Sequence, residues 1–275
     1  MSVFEMPAPK LAGGPYVMGV LNLTPDSFSD GGQWAEGGAV RHGLAMLEAG
    51  ADIIDVGGES TRPGADAVDE REEIARVVPV IACLRAATKA PISIDTMKPA
   101  VALAAMQAGA SIWNDVAALS APGALETAAS MQRPVILMHM QGAPRTMQDA
   151  PHYGDVVSEV IAYLKARVDA AAAKGVAEIW VDPGIGFGKT LAHNLALLRS
   201  VRRIADETGR LVLIGASRKR FIAAIDAKAA RAGEDRLGGS IAAALLAAQQ
   251  GAAMVRVHDV AETVQALKVW RAASP

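Results

Sequence analysis

The chain has 275 residues, 51% of them hydrophobic, and carries 27 Lys and Arg against 29 Asp and Glu for a net charge of -2. That balance, without a Lys/Arg cluster, argues against a protein that tracks nucleic-acid phosphates, and no apolar run is long enough to span a membrane without a charge or a Gly/Pro break. The single Cys83 excludes an internal disulfide. With no long apolar signal core in residues 1–15, it points to a reducing, cytoplasmic setting.

A short apolar run, a polar loop and an Ala-rich segment of helical spacing recur along the whole length. The predicted strands are 16–21, 52–56, 91–94, 111–113, 134–138, 178–181, 211–214 and 253–257. The predicted helices are 39–49, 69–87, 99–108, 123–131, 153–173, 191–208, 219–230 and 260–271, with an additional helical run over 237–250. Gly50, Gly109, Gly175 and Gly251 follow four of these helices, where a left-handed C′ residue ends the helix before the next strand. Cys83 falls in the second helix and reads as a buried structural thiol.

The strands are almost continuously apolar, as parallel strands covered on both faces are. About eight βα units in this length predict an α/β fold, a (β/α)8 TIM barrel with its active site at the C-terminal strand ends, forming one domain over 1–275. An open doubly wound sheet is the alternative. It is disfavoured because no G-x-G-x-x-G follows the first strand.

In chain order, the strand ends are Asn22, Asp55, Asp95, Asn114-Asp115, His139, Asp182, Ser217-Arg218-Lys219, and Arg256 with His258. The polar loop after strand one is longer than an ordinary turn, and such loops usually carry function. Arg256 and His258 alternate along the last strand, so both point to one side, as an anion site or in salt bridges with Asp259 or Glu262. Asp95, Asn114 and Asp182 bring three acceptor-bearing side chains to the barrel mouth. They suit a Mg²⁺ ion or a flat heterocycle rich in N–H donors, or they cap the elements that follow. The loop 184–189 resembles a phosphate cradle but lacks the P-loop ending, and Phe187 within it reads as a lid or stacking wall. Lys219 is a Schiff-base candidate, a donor to a bound ring or anion, or a solvated helix start. His139, between two methionines, reads as a satisfied core histidine.

The motifs NLTPDSFSDGG (22–32), GGESTRPG (57–64), SIDT (93–96), NDV (114–116), MHMQG (138–142), DPGIGFGK (182–189), SRK (217–219) and RVHD (256–259) occur in one order over nearly the whole chain. In this the chain resembles the dihydropteroate synthases of folate biosynthesis. The resemblance implies a transferase that joins p-aminobenzoate to 6-hydroxymethyl-7,8-dihydropterin diphosphate, with Mg²⁺ assisting, in a homodimer. It assigns the pterin to Asp95, Asn114, Met138, Asp182, Lys219 and Arg256. The diphosphate falls to Asn22, Thr61, Arg256 and His258, with Asn22 also at the metal. The p-aminobenzoate pocket falls to Phe28, Thr61, Pro63, Phe187, Lys219 and Arg220, and Asp26 and Arg62 join Asp95 and Lys219 in catalysis. Arg220 stands where many members have Ser, and Met97 where Tyr is common. A pterin-binding methyltransferase domain shares the barrel but needs neither the first loop nor the Arg256/His258 pair. A Schiff-base aldolase acting through Lys219 and a pterin-binding protein without turnover are the other readings.

Overall fold

The structure is a computed structural model that describes residues 6–23, 33–60, 67–143, 145–230 and 234–274. The eight strands are β1 (Tyr16–Asn22), β2 (Ile53–Gly57), β3 (Ile92–Asp95), β4 (Ile112–Asp115), β5 (Val135–Met138), β6 (Ile179–Asp182), β7 (Leu213–Ile214) and β8 (Met254–Val257). All pair in parallel in the order β6-β5-β4-β3-β2-β1-β8-β7. A Val181–Val212 bridge joins the two ends and closes the barrel. Around it lie α1 (Gln33–Glu48), α2 (Glu70–Ala87), α3 (Pro99–Ala108), α4 (Ala124–Met131), α5 (Val156–Ala173), α6 (Leu191–Arg199), α7 (Val201–Thr208), α8 (Arg220–Ile225), α9 (Leu237–Gln249) and α10 (Val260–Ala273).

Strand parity decides what each side chain does. Met18, Ile53, Ile112, Ile136, Trp180, Leu213 and Met254 point inward and pack together as an apolar plug at the N-terminal end of the barrel. Two residues further along those strands, the same inward face carries Asp55, Asn114, Met138, Asp182, Gly215 and Arg256. The polar layer therefore rests on a dry floor. The outward residues, among them Ile54, Val56, Ile94, Trp113, Leu137, Val181 and Val255, pack beneath the helices in the main core. Each fully buried Ile or Leu there contributes about 1.5–3 kcal/mol by removal from water.

The four junction glycines all adopt positive φ: Gly50 at 109°, Gly109 at 116°, Gly175 at 91° and Gly251 at 88°. α2 starts where the Asp69 carboxylate accepts the Arg71 N–H at 2.8 Å, with acidic Glu70, Glu72 and Glu73 in its first turn. Three expectations need correction. The helix predicted over 191–208 is two helices, α6 and α7, divided at Ser200. The segment 219–230 gives a short α8 and then a 3-10 turn over Ala227–Ala230. Cys83 is exposed: α2 turns Ile81 and Leu84 into the core, and that rotation puts position 83 outside.

Candidate active site

The polar layer centres on Arg256. Its Nε donates to Asp55 Oδ2 at 2.6 Å and its Nη2 to Asp95 Oδ2 at 2.8 Å. Arg256 does not take the alternative partners Asp259 and Glu262; Asp259 pairs with Arg218, at 2.5 and 3.1 Å. Asn114 Nδ2 donates to Asp55 Oδ2 at 3.2 Å, so the ends of β2, β3, β4 and β8 are joined through side chains. The second oxygens, Asp55 Oδ1 and Asp95 Oδ1, are buried without a hydrogen-bond partner among the described residues. Burial pushes the Asp95 carboxyl up to about 7, with the Asp55 and Glu73 charges acting the same way against Arg256 and Lys219. Burial alone would lower the Arg256 pKa, but the two carboxylates hold it well above the ordinary arginine value.

Asp182 is buried at the end of β6 and accepts the Gly184 N–H at 2.7 Å through Oδ1. Burial raises its pKa against that hydrogen bond and the nearby charges of Lys219, Lys189 and Arg256. Beside it, Gly215 leaves room: a Cβ there would lie 3.8 Å from Asp182 Oδ2 and 3.9 Å from Arg256 Cβ.

One wall of the site is apolar. Val116, Met138, Met147 and Phe187 form a buried cluster, with Met97 and Met140 against it. Phe187 is 8% exposed, so it is a wall and not an open lid. Lys219 Nζ lies 3.9 Å from its ring centroid, a cation–π contact that brings β7's loop over β6's. Three N–H groups of the glycine loop turn to the protein and not outward to a phosphate: Gly184 donates to Asp182 Oδ1, Gly186 to Asn194 Oδ1 at 2.7 Å and Phe187 to Gly184 O at 3.1 Å.

Lys189 ends that loop and is 3% exposed. Its Nζ meets His139 Nδ1 at 3.0 Å, Phe187 O at 2.9 Å and His139 O at 3.3 Å. Burial brings Lys189 down to about 7, and burial with the adjacent Lys189 charge brings His139 down to about 3. His139 is thus the satisfied core histidine the sequence suggests, with a lysine as its partner.

His258 follows β8 with its Nδ1 3.1 Å from Ser217 Oγ, tying the end of β8 to β7's loop. Asn22 closes β1 opposite Gly57, and its Oδ1 is 3.7 Å from where a Gly57 Cβ would stand. Arg220 is exposed at the first turn of α8. Asp26, Phe28, Thr61, Arg62 and Pro63 lie outside the described residues. The structure thus gathers Asp95, Asn114, Asp182, Arg256, Met138, Phe187 and Lys219 at one mouth, with Asn22 and His258 on neighbouring strand ends. Sequence reasoning named Asp55 as a strand end without giving it a role. Its inward parity with Ile53 is the signal that places it beneath Arg256. The Lys189–His139 contact, 50 residues apart in sequence, left no local signal.

The pterin binding enzyme family model matches residues 18–258. The dihydropteroate synthase of Escherichia coli (strain K12) is 48% identical over 264 residues, which cover 94% of this chain and 91% of that one. The structure of Xanthomonas albilineans dihydropteroate synthase with 4-aminobenzoic acid superposes with a TM-score of 0.89 at 52% identity, covering 95% of this chain and 94% of that one. Yersinia pestis dihydropteroate synthase, solved in a sulfonamide drug complex, gives a TM-score of 0.89 at 45% identity and 94% coverage of both chains. With this barrel and this mouth, the chain belongs to the dihydropteroate synthase family, transferases that condense 6-hydroxymethyl-7,8-dihydropterin diphosphate with p-aminobenzoate to give 7,8-dihydropteroate and pyrophosphate.

Proposed function

We propose that residues 1–275 act as one pterin-binding barrel in which the buried polar layer reads the pterin and the strand β8 end receives the diphosphate. The observation that carries this reading is the cluster of Asp95, Asn114, Asp182 and Arg256 above an apolar floor. A pterin presents a guanidine-like row of N–H donors, which Asn114 and Asp182 meet with acceptors. Met138 packs on the ring, and Lys219 donates to it from over Phe187. Arg256 has five N–H donors, of which two are committed to Asp55 and Asp95, leaving three for oxyanions. Asn22, Thr61 and His258 complete the diphosphate contacts.

The C–O bond to the diphosphate breaks with its electron pair leaving on oxygen, and a cation develops on the pterin methylene. Asp95, as a carboxylate in a desolvated site, stabilises that charge. The aniline nitrogen of p-aminobenzoate, held by Phe28, Thr61, Pro63, Phe187, Lys219 and Arg220, forms the C–N bond and then loses its proton to water. Asp26 and Arg62 assist from the first two loops, and exclusion of water protects the cation from hydrolysis.

Among the described residues, no three His, Cys, Asp or Glu side chains come together to hold a metal. Mg²⁺ nonetheless suits the donors present, because it is commonly held by one or two protein oxygens together with substrate phosphates and water. Asn22 Oδ1, at the end of β1 beside Gly57, is the protein oxygen we assign to it. Bound there with the diphosphate, Mg²⁺ would neutralise the leaving group.

We further read the protein as a cytoplasmic homodimer. Among the described residues no helix is long and apolar enough to cross a membrane, and α10 exposes Val269 at 66%. Sedimentation at micromolar concentration tests the dimer, and a monomer would overturn it. For the chemistry, the chain is mixed with the pterin diphosphate, Mg²⁺ and p-aminobenzoate. Pyrophosphate release matched by dihydropteroate formation is expected, and binding of both substrates without product would overturn the reading.

A further inference from the structure

Asp55 lies beneath the groups that face the pterin. It points inward on β2, in register with Val20 on β1 and Ser93 on β3, and is 0% exposed. Its Oδ2 accepts from Arg256 Nε at 2.6 Å and from Asn114 Nδ2 at 3.2 Å. Arg256 carries the balancing charge, and Asp95 shares it.

A carboxylate accepts hydrogen bonds and donates none. A primary amide has two ends of nearly equal size and opposite hydrogen-bonding sense, and an amide without a charged neighbour can present either. With Asp55 fixed beneath it, Asn114 must turn its NH₂ toward the carboxylate and its carbonyl oxygen away. Asp55 acts on Arg256 in the same manner: by taking Nε it directs the Nη edge toward Asp95 and the mouth. We propose that Asp55 is the positioning residue that sets the polarity of the pterin site, obliging Asn114 to present an oxygen so that the site selects a ring edge made of donors. This rests on the reading of Asn114 and Asp182 as acceptors for that edge.

Such a device sets specificity more than strength. A ring of the same shape with an oxo group in place of the 2-amino group would set oxygen against oxygen at Asn114. A buried mismatch of that kind is rejected strongly because both groups are left unpaired. The probes are therefore 6-hydroxymethylpterin and its 2-oxo analogue, 6-hydroxymethyllumazine, titrated calorimetrically into the full chain and its variants.

Asp55→Asn is expected to weaken pterin binding at least tenfold and to narrow the pterin-over-lumazine preference at least tenfold. The KM for p-aminobenzoate should stay within twofold. The swap Asp55→Asn/Asn114→Asp reverses the donor and acceptor while again presenting an oxygen to the ring, and should restore most of the preference. Asn114→Asp alone keeps an acceptor for the ring but sets two carboxylates together, so it should bind pterin at least tenfold more weakly. A folded Asp55→Asn that keeps the parental preference within threefold overturns the proposal. If Asp55→Asn does not fold, Asn114→Asp decides it, and parental pterin affinity in that variant overturns the proposal. Asn114→Ala separates the two levels. Unchanged pterin binding in that variant defeats the reading of Asn114 itself, whereas loss there with no effect at Asp55 defeats this inference alone.

Discussion

Lys189 Nζ sits 3.0 Å from His139 Nδ1 in a site where both side chains are buried. A charged lysine can only donate, so while Lys189 holds its proton His139 meets it as a neutral ring with Nδ1 unprotonated. Protonating His139 would place two cations in contact away from water, which is why it is held down to about 3, below the ordinary 6.5. A histidine lowered on folding takes up fewer protons folded than unfolded between those values. Its contribution is complete above about 6.5 and is lost as pH falls toward about 3. At about 1.36 kcal/mol per pH unit, the full loss is on the order of 5 kcal/mol. His139→Gln retains an acceptor for Lys189 and cannot be protonated. Its urea stability should therefore fall less between pH 7 and pH 4 than the parent's, and equal falls would contradict the account.

The glycine loop ends in this pair and depends on close approach. A Cβ on Gly184, whose φ is +70°, would stand 1.9 Å from His139 O, closer than any real contact. Gly209 at the end of α7 has φ +63° and nothing within 4 Å of a would-be Cβ. Both Ala variants carry the left-handed backbone cost of about 1–2 kcal/mol. Gly184→Ala must also move the loop away from β5, so its total is expected to exceed about 3 kcal/mol. Urea unfolding of the two variants checks this, and equal losses would show that the contact with His139 O is not what holds the loop.

The barrel was legible because its signals are local. Apolar strand runs and the C′ glycines at 50, 109, 175 and 251 each follow from a few neighbouring residues, and the structure keeps all of them. Barrel closure brings the strand ends to one mouth without further information, so Asp95, Asn114 and Asp182 were readable as a group and Arg256 with His258 as a pair beside it. Non-local pairings were not readable. Asp55 carries the same residue type as a cap such as Asp115, which accepts from Ala117 and Leu119 N–H groups. Its different duty comes from Arg256, 201 residues away. Cys83 and the break at Ser200 were missed for a related reason: which face of α2 turns inward and where 191–208 divides are set by what these helices pack against, not by a local signal.

Asp95 is held up to about 7 chiefly by burial, with the Asp55 and Glu73 charges adding to it. Below that value it holds a proton and offers no negative charge to the pterin-methylene cation, and above it the carboxylate is available. In the parent, kcat/KM for the pterin diphosphate should fall as pH drops through about 7. Asp95→Asn should remove that limb and lower kcat on the order of a hundredfold, the scale of a lost electrostatic stabiliser. The pterin dissociation constant should move far less. Equal losses in kcat and in affinity would show that Asp95 binds the ground state and does not act on the cation.

Phe187 forms the floor beneath Lys219 Nζ, and an amine over a ring face is a suitable neighbour for a flat aromatic acid. p-Aminobenzoate and sulfonamide drugs share an aniline ring and an acidic or polar group para to it, so both should use this wall. Steady-state inhibition by a sulfonamide should be competitive with p-aminobenzoate, and a non-competitive pattern would remove Phe187 from the second-substrate pocket. Phe187→Ala deletes the ring but leaves Lys219 and the Asp95–Arg256 pair in place. The KM for p-aminobenzoate and the sulfonamide inhibition constant should rise together by about tenfold, the worth of a cation–π and stacking contact of roughly 1–2 kcal/mol. The KM for the pterin diphosphate should change less than threefold, since Asn114 and Asp182, the acceptors proposed for its donor edge, are held by β4 and β6 and not by the ring. A rise in the pterin KM without one for p-aminobenzoate would show that Phe187 serves the pterin, along the wall it shares with Val116 and Met138, and not the second substrate.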